Sequence, residues 1–110
     1  MVMLSSPFGG QARTRVLIGL RLLEESYPRE LARVLELPLS GVQMALRGLE
    51  RDGLVAGRLA GRTRLVRLNP RYFAREELRQ YLLILASVET KLQDRVADLR
   101  RRPRAGGKPL

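Results

Sequence analysis

"LELPLSGVQMALRGLERDGLV", residues 35–55, is the stretch on which the reading of this chain turns. Leu39, Val42, Ala45, Leu46 and Leu49 recur in it with helical spacing. At about 100° per residue, these five side chains fall within an arc of about 120°. Ser40, Gln43, Met44, Arg47 and Arg51 fall on the opposite side, within about 100° of one another. No acid lies in that second arc, because Glu50 and Asp52 project outside it. Pro38 blocks continuation of any preceding helix, and Asp52-Gly53 supplies a glycine stop. The stretch therefore predicts a short helix over about 39–51, apolar inside and free of negative charge outside.

The flanking sequence supplies the elements around it. Val16, Leu17, Leu20 and Leu23 predict a first helix over about Gln11–Glu25, ended by Ser26-Tyr27-Pro28. Pro28 suits the first position of a second helix, where its missing N–H costs nothing. That helix runs to about Leu35, with Leu31, Val34 and Leu35 apolar, and "ELPLS" makes the turn into the third. "LVAGRLAGRTRLVRLN", residues 54–69, is too rich in glycine for a helix. It predicts strands over about 54–59 and 63–68 around Ala60-Gly61-Arg62. From Arg75 to Arg101 there is neither proline nor glycine, which predicts one long helix. Along it Leu78, Leu82, Leu85, Glu89, Leu92, Val96 and Leu99 form a heptad seam with one polar interruption.

The expected fold is mainly α with a small β-hairpin, an α+β winged helix–turn–helix followed by a long C-terminal helix. Its expected organisation is an N-terminal arm over 1–10, the winged helix–turn–helix over 11–72, the long C-terminal helix over 73–101 and a disordered basic tail over 102–110.

Charge narrows the function. The chain has 110 residues and a net charge of +10, from 21 Lys+Arg against 11 Asp+Glu. A compositional bias toward arginine explains arginine over lysine, but not an excess of positive over negative charge. The field favours polyanions, nucleic acid before an acidic membrane. With no cysteine and no histidine there is neither a disulfide framework nor a thiolate or imidazole metal ligand. No apolar run approaches the ~20 residues of a membrane span, and the N-terminus lacks the pattern of a signal peptide. The expectation is a cytoplasmic protein, nucleoid-associated when bound to DNA, that is not an enzyme and needs no cofactor. Glu24-Glu25 and Glu76-Glu77 are adjacent pairs whose side chains diverge on a helix, unsuited to paired acid–base work.

In a helix–turn–helix the third helix packs one face on the first two and presents the other to the major groove. Gln43 and Arg47 suit base edges, since glutamine pairs with adenine and arginine with guanine. The hairpin carries Arg58, Arg62, Arg64 and Arg67 and no acid, which suits phosphates or a narrow minor groove. The same arginines would also protect an exposed strand edge from pairing. Arg29 and Arg33 of the second helix are further candidates for phosphate contact.

These residues resemble a family. "RELARVLELPLSGVQMALRGLERDGLVAGRLAGRTRLVRLN", residues 29–69, is similar to the ArsR-like winged helix–turn–helix regulators of prokaryotes. The similarity lies in E-L-A-x-x-L-x-L, then S-x-V-x-x-x-L-x-x-L-E-x-x-G-L-V, then a basic wing. "FGGQARTRVLIGLRLL" upstream resembles the family's first helix, so the likeness covers about residues 8–72. It implies a transcriptional regulator with Ser40, Gly41, Gln43, Met44 and Arg47 at recognition positions and Arg62 at the wing tip. The chain departs at Pro38, where such helices often have a serine or threonine cap, and in lacking the Cys and His of the metal-sensing members.

The expected partners are double-stranded DNA and a second copy of the chain. Leu78, Tyr81, Leu82, Leu85, Val88, Leu92 and Val96 are the expected dimer contacts. The competing reading folds the last helix back on the first. A protein-interaction module, or a DNA-coating protein with little sequence preference, is the alternative function.

Overall fold

The computed structural model describes residues 8–101; the expected tail over 102–110 and the first seven residues of the expected arm lie outside the described residues. The elements run α1 (Gln11–Leu23), β1 (Glu25–Ser26), α2 (Pro28–Leu35), α3 (Leu39–Arg51), β2 (Val55–Ala60), β3 (Thr63–Leu68), α4 (Arg75–Ala86) and α5 (Thr90–Arg101). This is a mainly helical α+β arrangement with one small antiparallel sheet. Among the described residues, no helix is long and apolar enough to cross a membrane.

α1 sits at the centre. Val16, Leu17, Ile18, Gly19 and Leu20 are consecutive and all buried, which no single helical stripe could achieve. α2, α3, β3, α4 and α5 all pack against it. Gly19 sets the approach of α2: a Cβ there would lie 3.2 Å from Leu31 Cδ2 and 3.4 Å from Leu35 Cδ2.

α2 starts on Pro28 as expected and ends at Glu36, whose backbone is left-handed at φ 57°. The Leu37 amide then reaches back to the Ala32 carbonyl at 3.0 Å, satisfying one of the carbonyls left open at the helix end. α3 follows after three residues, with Pro38 before it and no side-chain cap. Its end is the glycine stop read from Asp52-Gly53. Gly53 has φ 85°, and the Leu54 amide donates to the Leu49 carbonyl at 2.9 Å.

β1 stands where the sequence pattern predicts only the end of the first helix. Glu25 and Ser26 pair antiparallel with Arg67 and Val66 of β3, giving the order β1-β3-β2. Two residues are too few to show a period of two; the open edge of β3 recruits them. Ser26 is buried and its Oγ donates to Oε1 of buried Glu30 at 2.6 Å, tying the strand to α2. The hairpin is one residue tighter than expected. Ala60 pairs with Thr63, and Gly61 at φ 64° takes the first place of a two-residue turn, where a II′ turn requires a positive φ.

The C-terminal half corrects the sequence reading. The expected continuous helix is two helices, α4 and α5, broken at 87–89. No proline or glycine marks the break, which falls at the polar interruption of the seam, Glu89. Ser87 Oγ donates to the Ile84 carbonyl at 2.6 Å, and the Glu89 amide donates to the Ala86 carbonyl at 2.9 Å, tightening the last turn of α4. The break lets α5 turn back onto α1 and α2. Arg95 donates to the Val34 carbonyl and Arg100 to the Leu22 carbonyl across that junction. Leu78, Leu82, Leu92 and Val96, expected at a dimer interface, are therefore buried within one chain, and Leu85 is partly buried against the same core. Of the expected contacts only Tyr81 (41% exposed) and Val88 (50%) stand in solvent, joined by Ile84 (65%).

Leu82→Ala and Leu92→Ala should each destabilise the fold by about 2–5 kcal/mol, the usual cost of emptying a buried leucine site. Urea unfolding at several protein concentrations checks where these side chains are buried. Any rise of the midpoint with concentration should be the same in both variants as in the parent protein, because these side chains are buried within one chain. A midpoint that rises with concentration and loses that dependence in the variants would return the seam to an intermolecular contact.

Candidate nucleic-acid interface

α3 divides its residues as its periodicity requires. Val42, Ala45, Leu46 and Leu49 are buried, while Ser40, Gln43, Met44, Arg47 and Arg51 are exposed, Met44 at 66%. Gly41 is half-buried and lines a groove with Gly10 and Ala12 at the start of α1. No neighbour lies within 4 Å of where its Cβ would be, so close packing does not require a glycine there.

The two acids at the end of α3 are both occupied. Glu50 accepts a short hydrogen bond from Arg64 of β3. Asp52 accepts one from Arg13 of α1 at 2.6 Å, with Arg51 3.8 Å from its other oxygen. The Arg13 hydrogen bond, with the nearby charges of Arg13 and Arg51, holds the Asp52 carboxyl below its ordinary range. Each pair crosses the chain over a glycine. A Cβ on Gly48 would lie 2.5 Å from Arg13 Nη1, and one on Gly57 would lie 2.8 Å from both Arg64 Nη2 and Glu50 Oε2. Arginines from α1 and from the sheet thus flank the outer face of α3 on both sides and neutralise its nearest carboxylates. A glycine inside a helix, such as Gly48, is the sequence signal for this kind of close crossing.

The hairpin register sorts its arginines. Arg64, Val66 and Leu68 share one face with Leu59, Gly57 and Val55; Leu65 and Arg67 share the other with Arg58 and Ala56. Val66, Leu68 and Val55 are buried, so the first face points to the core and α3. Arg64 lies on that inner side. Arg62 stands at the exposed turn and makes no ion pair among the described residues. Leu59, which the sequence reading passed over, is 70% exposed beside Arg64, beyond the end of the core; strand parity with Val55 and Gly57 places it there. Arg58 does not join this group. It lies on the outer face and pairs with Glu25 of β1 at 3.4 Å.

Arg29 and Arg33 are exposed one turn apart on α2 and line a shallow groove with Leu37 and Leu39, beside the start of α3. The structure therefore gathers Arg29, Arg33, Ser40, Gln43, Met44, Arg47 and Arg51 around α3, and sets Arg62, Arg64 and Leu59 on the adjoining hairpin. Comparison with protein-family models, curated proteins and solved structures gives no match.

Because Asp52 is held below its ordinary value, its pairing adds stability above the unfolded carboxyl value of 3.8. That contribution is lost as pH falls through the lower folded value. Gly48→Ala should push the Arg13 guanidinium aside and return Asp52 toward 3.8. NMR titration of the Asp52 carboxyl in both proteins reads this directly. An unchanged titration in the variant would show that the Gly48 clearance does not govern the pair.

Proposed function

We propose that the chain is a winged helix–turn–helix protein that binds double-stranded DNA sequence-specifically and regulates transcription, as its resemblance to ArsR-like regulators implies. α3 is the recognition helix in the major groove, and the β2–β3 hairpin is the wing. One observation carries the reading: the outer face of α3 is polar, exposed and free of acid, and the two carboxylates beside it are already neutralised by Arg64 and Arg13. An ordinary amphipathic surface helix also presents arginine and glutamine outward; a face free of acid, with its neighbouring carboxylates neutralised, suits in addition a position between rows of phosphate.

The remaining parts support it. α2 and α3 are joined by residues 36–38, a turn of the length helix–turn–helix pairs use. Gln43 and Arg47 sit centrally on the outer face, where bidentate contacts to adenine and guanine would be made. Met44 offers an apolar contact to a thymine methyl. Arg29, Arg33 and Arg51 flank them as phosphate contacts, and Arg62 at the wing tip reaches for the backbone or minor groove. Arg64 serves indirectly, by occupying Glu50. Such a protein works in the cytoplasm, on the nucleoid.

A homodimer belongs to the same proposal, with its contact reduced to what the fold leaves outside. Tyr81, Ile84 and Val88 lie at i, i+3 and i+7 from the outer side of α4 into the turn after it, an exposed apolar stripe suited to a second copy. Two copies would present two recognition helices to half-sites about one helical turn apart.

Competition binding over a salt series tests the reading. With Arg29, Arg33, Arg51 and Arg62 on phosphates, log affinity should fall against log salt with a slope of about −3.6 per bound chain. Arg47→Ala should cost about 1–3 kcal/mol and relax preference at one base position. Arg62→Ala should weaken all sequences alike. Folded protein that binds no duplex at low salt, or two variants with unchanged affinity, would reject this placement. Ile84→Glu should give a monomer by sedimentation equilibrium, and a monomeric parent protein would remove the dimer.

A further inference from the structure

The sheet face opposite the Glu50–Arg64 pair borders an open cleft of about 470 Å³. Arg58 of β2, Arg67 of β3, Arg75 and Arg79 of α4, and Glu24 and Glu25 line it. Four guanidinium groups therefore share the cleft with two carboxylates. Glu24 is committed to Arg79, which donates to both of its oxygens at 3.2 Å. Glu25 stands opposite Arg67 in the strand register, yet its carboxylate pairs with Arg58 at 3.4 Å, from the strand on the far side of β3. Arg67 and Arg75 are left with no ion pair among the described residues.

Arginine cannot relieve such crowding by losing its proton. Both side chains are exposed, so water screens their repulsion, and either guanidinium group is free to meet an anion drawn into the recess. Their planar forks match phosphate oxygens, with which they form paired charge-assisted hydrogen bonds. The cleft is also of the size that small ligands occupy, about 300–1,000 Å³. We propose that this cleft binds a small phosphorylated ligand with at least two negative charges, held by Arg67 and Arg75, with the Glu24–Arg79 and Glu25–Arg58 pairs fixing its walls. The inference is independent of the DNA-binding reading, since the residues lie on the other face of the sheet.

Calorimetric titration of the full chain with pyrophosphate at low salt tests it. The expected result is saturable binding of one pyrophosphate per chain, weakened by at least about tenfold in Arg67→Gln/Arg75→Gln, from the loss of two charge-assisted contacts. Lys91→Gln/Arg101→Gln removes the same net charge from α5, away from the cleft, and should bind as the parent does. Circular dichroism confirms that both variants are folded. Three results would overturn the proposal. One is no saturable binding. Another is an equal loss in both double variants, which marks attraction by net charge alone. The third is displacement of pyrophosphate by a short duplex together with a matching loss of duplex affinity in Arg67→Gln/Arg75→Gln, which would assign the cleft to the DNA contact instead.

Discussion

Five adjacent residues of α1, Val16 to Leu20, are buried together, and the rest of the structure follows from surrounding them. A helix with one apolar stripe can lie on a surface, but one buried on successive positions needs neighbours all around. α3 and α2 cover part of it, with Gly19 letting α2 in close, and β3 adds another side. The remainder falls to α4 and α5. Leu78, Leu82, Leu92 and Val96 are spent on this task, and fully burying each such side chain is worth about 1.5–3 kcal/mol before entropy is subtracted. A free C-terminal arm would have left both α1 and the seam in water.

That packing also decides what stays outside. With α1 enclosed, α3 can bury only its inner arc, and its polar arc is left to solvent. The ion pairs Arg13–Asp52 and Arg64–Glu50 then join that helix to α1 and to the hairpin. Such partly exposed pairs add little to stability. Their larger effect is on the field: they remove two negative charges from the edges of a surface proposed to meet phosphate. Gly48 and Gly57 make the crossings possible, so the backbone itself carries part of the electrostatic design.

The sequence was most legible where the signals were local. Pro28, the Asp52-Gly53 stop and the spacing of Leu39 to Leu49 placed α2 and α3 at their observed bounds. Gly61 marked the hairpin turn. The outer face of α3 was equally readable, because helical period alone assigns its residues. What was hidden depended on partners distant in the chain. β1 exists through its pairing with β3, and nothing in Glu25-Ser26 announces it. The break at 87–89 has no proline or glycine; its one local trace is Glu89, and a single polar residue in an apolar seam is equally compatible with a continuous helix. The separation of Arg58 from Arg64 needed the strand register, which a one-residue change in the turn would have reversed.

The most direct measurement is amide and methyl NMR of the protein titrated with a duplex selected from a random pool. Binding through α3 and the wing should move the signals of Ser40, Gln43, Met44, Arg47, Gly61 and Arg62. Leu92, Val96 and their neighbours on α5 should stay in place. Perturbation centred on α4 or α5, with α3 and the wing unmoved, would contradict the assignment of α3 as the surface that reads DNA.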